Sequence, residues 1–258
     1  VRISVGSYNL NNLPFFIADS KGYFKEVGLD VKTENFAQGG SKVLQALVAN
    51  STDVAVGFYD HTIQMQAKQK DVVAFVLLSR NSGLVMAGRD NATFDPARPE
   101  TIKGQKVGIT APGSSSDFFV RHFLAQHDIP VDSISLIGVG SGAAAVAALE
   151  QGKIDLLVNY DRAATLITER KVGKIIIDAR SDEGARQVYG GLYPTSVMYA
   201  NQSFLDKRPE AAEKIARAEQ MALKFIADNS AEEIVAALPD SYVSGARATY
   251  ARAEGNAR

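Results

Sequence analysis

The hydrophobic and polar positions of residues 3 to 60 alternate regularly between strand-like and helix-like stretches. "RISVGSY" reads as a strand, "LPFFIADSKGYFKEVG" as one helix closed by Gly28, and "LDVKTENF" as a second strand. "AQGGS" then turns into the short amphipathic helix "SKVLQALVAN", and "TDVAVGFYD" makes a third strand. Strands separated by helices of this length predict right-handed βαβ units on a mostly parallel sheet.

The same order returns from Lys106 to Asp161: "KVGITAP", "SSSDFFVRHFLAQHD", "ISLIGVG", "SGAAAVAALEQGK" and "IDLLVNYD". Ala46-Leu47 lies as far before Asp53 as Ala148-Leu149 lies before Asp155, and both third strands end in an aromatic-acid pair, Tyr59-Asp60 and Tyr160-Asp161. The repeat predicts two similar α/β lobes. Between them "VVAFVLLSRNSGLVMAGRD" is long enough for two strands joined at "SRNSG". After the second lobe come a strand around Thr195 to Ala200 and a helix begun by Pro209, striped with Ile215, Ala218, Ala222, Phe225 and Ile226. The chain is therefore expected to leave the first lobe near residue 87 and return near residue 196. Lobe 1 is then 1–87 plus 196–258 and lobe 2 is 88–195, with two hinge crossings and a cleft between the lobes.

Composition narrows the function. A net charge of −1 over 258 residues favours no polyanionic partner, so no nucleic acid is expected. The absence of cysteine excludes disulfides, thiolate catalysis and cysteine metal sites. No apolar run reaches the roughly 18 residues of a membrane span. The chain opens directly on a core strand, which reads as a mature form without its leader or as a cytosolic protein.

In open α/β sheets, ligands bind beyond the carboxyl ends of the strands. The loops predicted there hold Asn11 and Asn12, Gly40 and Ser41, Tyr59 to His61, Ser114 to Ser116, and Asn159 to Asp161. Two of these loops, together with "GSG" at 140–142, place Gly and Ser directly before a helix, where free N–H groups and the helix dipole favour an anion or a carbonyl oxygen. Ser and Gly at such positions also serve as ordinary caps and turns. Phe58, Tyr59, Tyr160 and Tyr193 are placed to line the cleft, whereas Phe15, Phe16, Phe118 and Phe119 read as core.

Motifs of known chemistry are incomplete. Gly108 and Gly113 have the glycine spacing of a nucleotide-triphosphate loop, but Ser114 stands where its lysine would be. Gly138, Gly140 and Ala143 match a dinucleotide fingerprint in form only, on the second βα turn of the lobe and after a short strand. No serine has the surroundings of a nucleophile elbow. His122 and His127 are five apart and share no helical face, so no zinc site follows. No catalytic residue, metal or cofactor is expected.

With those residues assembled, the chain resembles the type II periplasmic solute-binding proteins of the nitrate/sulfonate/taurine class, which has relatives that bind thiamine-precursor pyrimidines. "LPFFIADSKGYFKEVGLDVK", "GGSKVLQALVANSTDVAVG", "ETIKGQKVGITAPGSSS", "ALEQGKIDLLV" and "NQSFLDKRPE" carry the likeness, in the family's order over most of residues 10 to 210. The resemblance implies two hinged α/β lobes that close on a small polar organic ligand. It implies a monomeric, periplasmic or lipid-anchored protein that delivers its ligand to the membrane permease of an ABC importer, and it implies no enzyme activity. A pyrimidine-synthesising or other small-molecule enzyme on the same fold is the alternative, the pyrimidine synthase having His61 and pyridoxal phosphate at its centre. The chain departs from strongly basic anion binders: only Arg80 and Arg162 are candidates near strand-end loops, and Asp60 and Asp161 put acids there. A zwitterion, an amine-bearing heterocycle or a neutral polar molecule fits that pattern better than a bare anion. The family often continues beyond "TYARAEGNAR", so the C-terminal end is expected to be incomplete.

Overall fold

The computed structural model of the protein describes residues 1–6, 9–36, 40–243 and 251. These form two compact units: Val1–Arg80 with the described residues from Pro194 onward, and Asn81–Tyr193. The first begins with β1 (Arg2–Val5), α1 (Leu13–Ser20), α2 (Tyr23–Glu26), β2 (Lys32–Asn35), α3 (Gly40–Val48), β3 (Val54–Phe58), α4 (Asp60–Ala67) and β4 (Val72–Leu77). The second holds β5 (Leu84–Gly88), β6 (Lys106–Ile109), α5 (Ser115–Gln126), β7 (Ser135–Gly138) and α6 (Ala143–Glu150). It continues with β8 (Leu156–Tyr160), α7 (Asp161–Arg170), β9 (Lys174–Asp178) and α8 (Asp182–Tyr189). The chain then re-enters the first unit as β10 (Ser196–Asn201), α9 (Gln202–Lys207), α10 (Pro209–Asp228), α11 (Ala231–Ala237) and α12 (Asp240–Val243).

Each unit is built on a five-stranded sheet, in the orders β2-β1-β3-β10-β4 and β7-β6-β8-β5-β9. In the first, β1 runs parallel to β2 and β3, while β10 runs antiparallel to β3 and β4. In the second, β6 runs parallel to β7 and β8, while β5 runs antiparallel to β8 and β9. Four strands of each sheet therefore share one direction, and their carboxyl ends share one edge.

Period-two alternation decides which side of the first sheet each residue joins. Val54, Val56, Met198 and Ala200 pack with Phe15, Ile17, Phe24, Ile215 and Tyr242 on one face. Ala55, Val197 and Tyr199 pack with Val43, Leu44, Leu47 and Met65 on the other. Such a strand is buried on both faces and reads as a continuous apolar run, as "VAVGF" does. Each large apolar side chain so buried contributes about 1.5–3 kcal/mol. On α10 the buried stripe is Ala211, Ile215, Ala218 and Ala222, with Phe225 and Ile226 half-covered beside it, but Glu219 also falls in the stripe.

The structure departs from the sequence reading at four places. The helix expected over 13–28 is two helices, α1 and α2, because Gly22 takes a left-handed conformation (φ 73°) between them. "SRNSG" joins strands of different sheets, so β5 belongs to the second unit and the first crossing falls between Arg80 and Asn81, not near 87. Asp60-His61 and Asp161 are not in loops but open α4 and α7, two helices whose polar first turns hid them. Strand β9 and helix α8 were not expected, since "KIIID" is short and "DEGARQVY" mostly polar. Of the predicted loop "AQGGS", residues 37–39 lie outside the described residues, as do the last two of "RISVGSY".

Candidate functional site

In the first unit, the carboxyl edge of the sheet is occupied by a buried polar set. Asn9 caps a 3-10 turn, Leu10–Asn12, its side chain accepting from the Asn12 N–H at 3.2 Å. The Tyr242 hydroxyl donates to the Asn9 carbonyl at 2.7 Å, and the Ser196 hydroxyl donates to the Asn12 side-chain oxygen at 2.6 Å. Asn12 is thus buried and fixed, while Asn11, Ser41 and Tyr59 are half-buried and Phe58 is core.

His61 has no solvent exposure. Its Nδ1 lies 3.0 Å from the Tyr199 hydroxyl, and its Nε2 lies 3.8 Å from Asp60 Oδ1 without a hydrogen-bond partner. The nearby carboxylate favours the tautomer protonated on Nε2, which leaves Nδ1 to accept from the phenol. Burial pushes the His61 pKa down, against the pull of Asp60, and pushes the Tyr199 phenol far up, so both groups are neutral near pH 7. Two glycines make room for them. A Cβ on Gly40 would sit 2.6 Å from His61 Cε1, and one on Gly57 would sit 3.0 Å from the Tyr199 hydroxyl. His61 was expected as a ligand contact on an open loop; the structure places it inside, as an internally bonded ring.

In the second unit, "APGSSS" has a different interior from the expected cradle. The Thr110, Ser114 and Ser116 hydroxyls close a triangle with sides of 2.7, 2.8 and 2.9 Å. The Thr110 N–H also donates to Ser116 Oγ, at 2.8 Å. Three hydroxyls have three protons, and the ring uses them all. Ser114 is the N-cap of α5 yet makes no side-chain capping bond. The anion position at that helix start is taken by Asp117, which accepts from the Gly113 N–H at 2.8 Å and from Arg121 Nε at 2.7 Å. A phosphate has no place beside that carboxylate. Ser115 is buried in the same turn.

Asn159, at the end of β8, donates to the Gly140 carbonyl at 3.1 Å and accepts from the Tyr160 N–H at 3.0 Å, tying the strand end to the Gly138–Gly142 turn. Tyr160 is buried beside it. Tyr193 stacks on Tyr189 at 4.3 Å, and Tyr189 stacks in turn on His122 at 5.6 Å.

Sequence reasoning missed Arg180. It lies just past β9, at the same sheet edge, and reaches Asp161 Oδ1 with Nη1 at 2.7 Å. Its backbone N–H, Nε and Nη2 all go to Asp178, at 3.1, 2.8 and 2.6 Å. Asp161 Oδ2 is buried without a hydrogen bond, the Thr165 hydroxyl being near enough to steady the charge but not closing a bond. Burial pushes the Asp161 carboxyl up although Arg180 opposes the shift, whereas Arg180 holds Asp178 below the usual range. The signal was "DARSD": an arginine between two acids after an apolar run, readable only once that run is known to be a strand. No group of three or more potential metal ligands occurs among the described residues. Nor does any described helix have the length and apolarity to cross a membrane.

The fold is that of periplasmic binding proteins. A solved structure from Bordetella bronchiseptica RB50 matches with a TM-score of 0.93 and 38% identity, over 100% of this chain and 81% of that one. The periplasmic aliphatic sulphonate binding protein SsuA from Escherichia coli matches with a TM-score of 0.76 and 19% identity, over 100% and 83%. Among curated relatives, a Bacillus subtilis (strain 168) protein named as a binding protein, YtlA, is 26% identical over 94% of this chain and 70% of its own length. The 4-amino-5-hydroxymethyl-2-methylpyrimidine phosphate synthase THI13 of Saccharomyces cerevisiae is 23% identical over 83% of this chain, which spans 63% of that enzyme. The signature of the family described as NMT1/THI5 like matches residues 9–233, so the chain belongs to the NMT1/THI5-like family.

Proposed function

We propose that the protein is the solute-binding component of an ABC importer, holding a small polar organic ligand at the carboxyl edges of its sheets outside the cytoplasm. The observation that carries this reading is the set of buried polar side chains at those edges: Asn12 and Asp60 in one unit, Asn159 and Asp161 in the other. Open α/β sheets bind ligands at this edge, and nothing in packing alone calls for so many polar groups there. YtlA, named as a binding protein, and the sulphonate binding protein SsuA support the same class; the range proposed for this chain is a sulfonate, taurine-like zwitterion, carboxylate or pyrimidine. Asn11, Gly40, Ser41, Tyr59, Ser115 and Tyr193 complete the proposed contact set, and a membrane permease is the partner that would receive the ligand. Native mass spectrometry of protein purified without added solute tests the reading. A small molecule that co-purifies and is released on unfolding supports it; a protein that binds no member of a panel of sulfonates, amino acids and pyrimidines refutes it.

His61 and the yeast relative favour a second reading, a pyrimidine-synthesising enzyme that works with pyridoxal phosphate. Pyridoxal chemistry needs a lysine amine for its Schiff base. Neither β3 nor α4 contains one, and Gly57 stands on the strand beneath the ring; α3, which meets His61 at Gly40, carries Lys42, exposed and bonded to Gln45. Lys42 is exposed and the His61 ring is buried, which fits a Schiff base beside that ring poorly. Added pyridoxal phosphate is expected to give no protein-bound near-visible absorbance.

A further inference from the structure

The second unit brings three carboxylates to one sheet edge, Asp117, Asp161 and Asp178, and their compensation is unequal. Asp117 has a backbone donor and Arg121. Asp178 has three donors from Arg180. Asp161 is 5% exposed and has one, from Arg180 Nη1, with its second oxygen buried and unbonded. The hydroxyls of Ser114 and Ser116, which could have met a ligand, spend their protons on each other and on Thr110. What the edge offers is therefore an acceptor with one closed hydrogen bond, its second oxygen served only by the nearby Thr165 hydroxyl.

We propose that Asp161 is the cation-recognising residue of the ligand site, and that Arg180 is an internal counter-ion standing where a ligand's ammonium or protonated amine docks. This rests on the binding-protein reading above. Arg180 is built to let go of one acid without losing the other. Its Nε and Nη2 fork and its backbone N–H stay on Asp178 when Nη1 leaves Asp161. Two carboxylates around one guanidinium leave the Arg180 cluster one negative charge in excess. An incoming amine removes that excess and satisfies Oδ2, whereas an incoming anion increases it. The ligand class is then a small organic cation or an amine-bearing zwitterion, not a bare anion.

Calorimetric titration of the full chain with matched pairs tests this: taurine with isethionate, β-alanine with 3-hydroxypropionate, 4-aminopyrimidine with 4-hydroxypyrimidine, and nitrate and methanesulfonate as bare anions. At least one amine is expected to bind tenfold or more tightly than its hydroxyl partner, and Asp161→Asn is expected to erase that preference. Arg180→Gln keeps the acid and removes its competitor, so it should tighten the same amine, and it decides the question even if Asp161→Asn does not fold. Equal binding within every pair, an amine preference that survives Asp161→Asn, or amine binding that Arg180→Gln leaves unchanged or weakens overturns the proposal. Binding of the bare anions alone overturns it too while leaving the binding-protein reading standing. Failure of every compound to bind ends both.

Discussion

Gly40 has no room for a side chain, because the imidazole of His61 fills the space where its Cβ would be. In the sequence, "GGS" before a helix looks like a source of free N–H groups for a ligand, and the physical requirement it meets is a different one. Gly40→Ala should destabilise the first unit by about 1–3 kcal/mol, the usual cost of overpacking. The same change in a His61→Ala background should cost measurably less, since contacting residues couple; denaturant melts of the four proteins of that cycle decide it, and additive losses would refute the contact. Ser116→Ala belongs with it. It removes the acceptor of the buried Thr110 N–H and opens the hydroxyl triangle, so a loss of about 1–3 kcal/mol of stability is expected. Affinity for any ligand should change little. A variant that keeps its melting temperature and loses ligand would return Ser116 to the contact set.

Among the elements, every described strand but β9 was legible, with its order of appearance, because buried strands announce themselves as apolar runs. The helices that begin directly at a strand end were not. In α4 and α7 the first turn carries Asp60-His61 and Asp161, polar residues that read as loop until the packing below them is seen. Arg180 was invisible for the same reason, lying after the unread strand β9. Helix α10 shows the reverse error: its stripe was read correctly through Ile215, Ala218 and Ala222, yet Glu219 lies fully buried among them with both carboxyl oxygens unbonded. Burial, with Asp19 adding repulsion, pushes that carboxyl well above its usual range. The folded state therefore holds a proton that the unfolded chain has already lost above about pH 4.5. Stability must fall as pH rises from there to the folded-state pKa, and fall no further beyond it. Glu219→Gln should flatten that decline and gain most at the alkaline end, in thermal melts between pH 4 and 9. A variant as steep as the parent would mean that Glu219 is ionised and compensated.

At the scale of the whole chain, the repeat read from sequence corresponds to two sheets with the same arrangement, an antiparallel strand fourth of five, but the two are wired differently. The second sheet takes its antiparallel strand, β5, from the residues just before its repeat begins, so all its strand pairings lie within Asn81–Tyr193. The first sheet takes β10 from beyond the other unit and seats it between β3 and β4. Without β10, β4 has no neighbour among the described strands, and the face formed by Val197 and Tyr199 over Val43 and Leu47 is lost. The α10 stripe over Phe15 and Ile17 goes with it. A chain cut after Tyr193 should therefore keep the second unit folded and lose the first. A fragment of residues 81–193 alone should melt cooperatively, with the helix and strand content of its own elements in circular dichroism, whereas residues 1–80 alone should stay unfolded. Hydrogen exchange on the truncated chain gives the sharpest reading. Protection is expected on β6, β8 and β5 and none on β1 and β3, and equal protection in both sheets would show that the first unit does not depend on its returning strand.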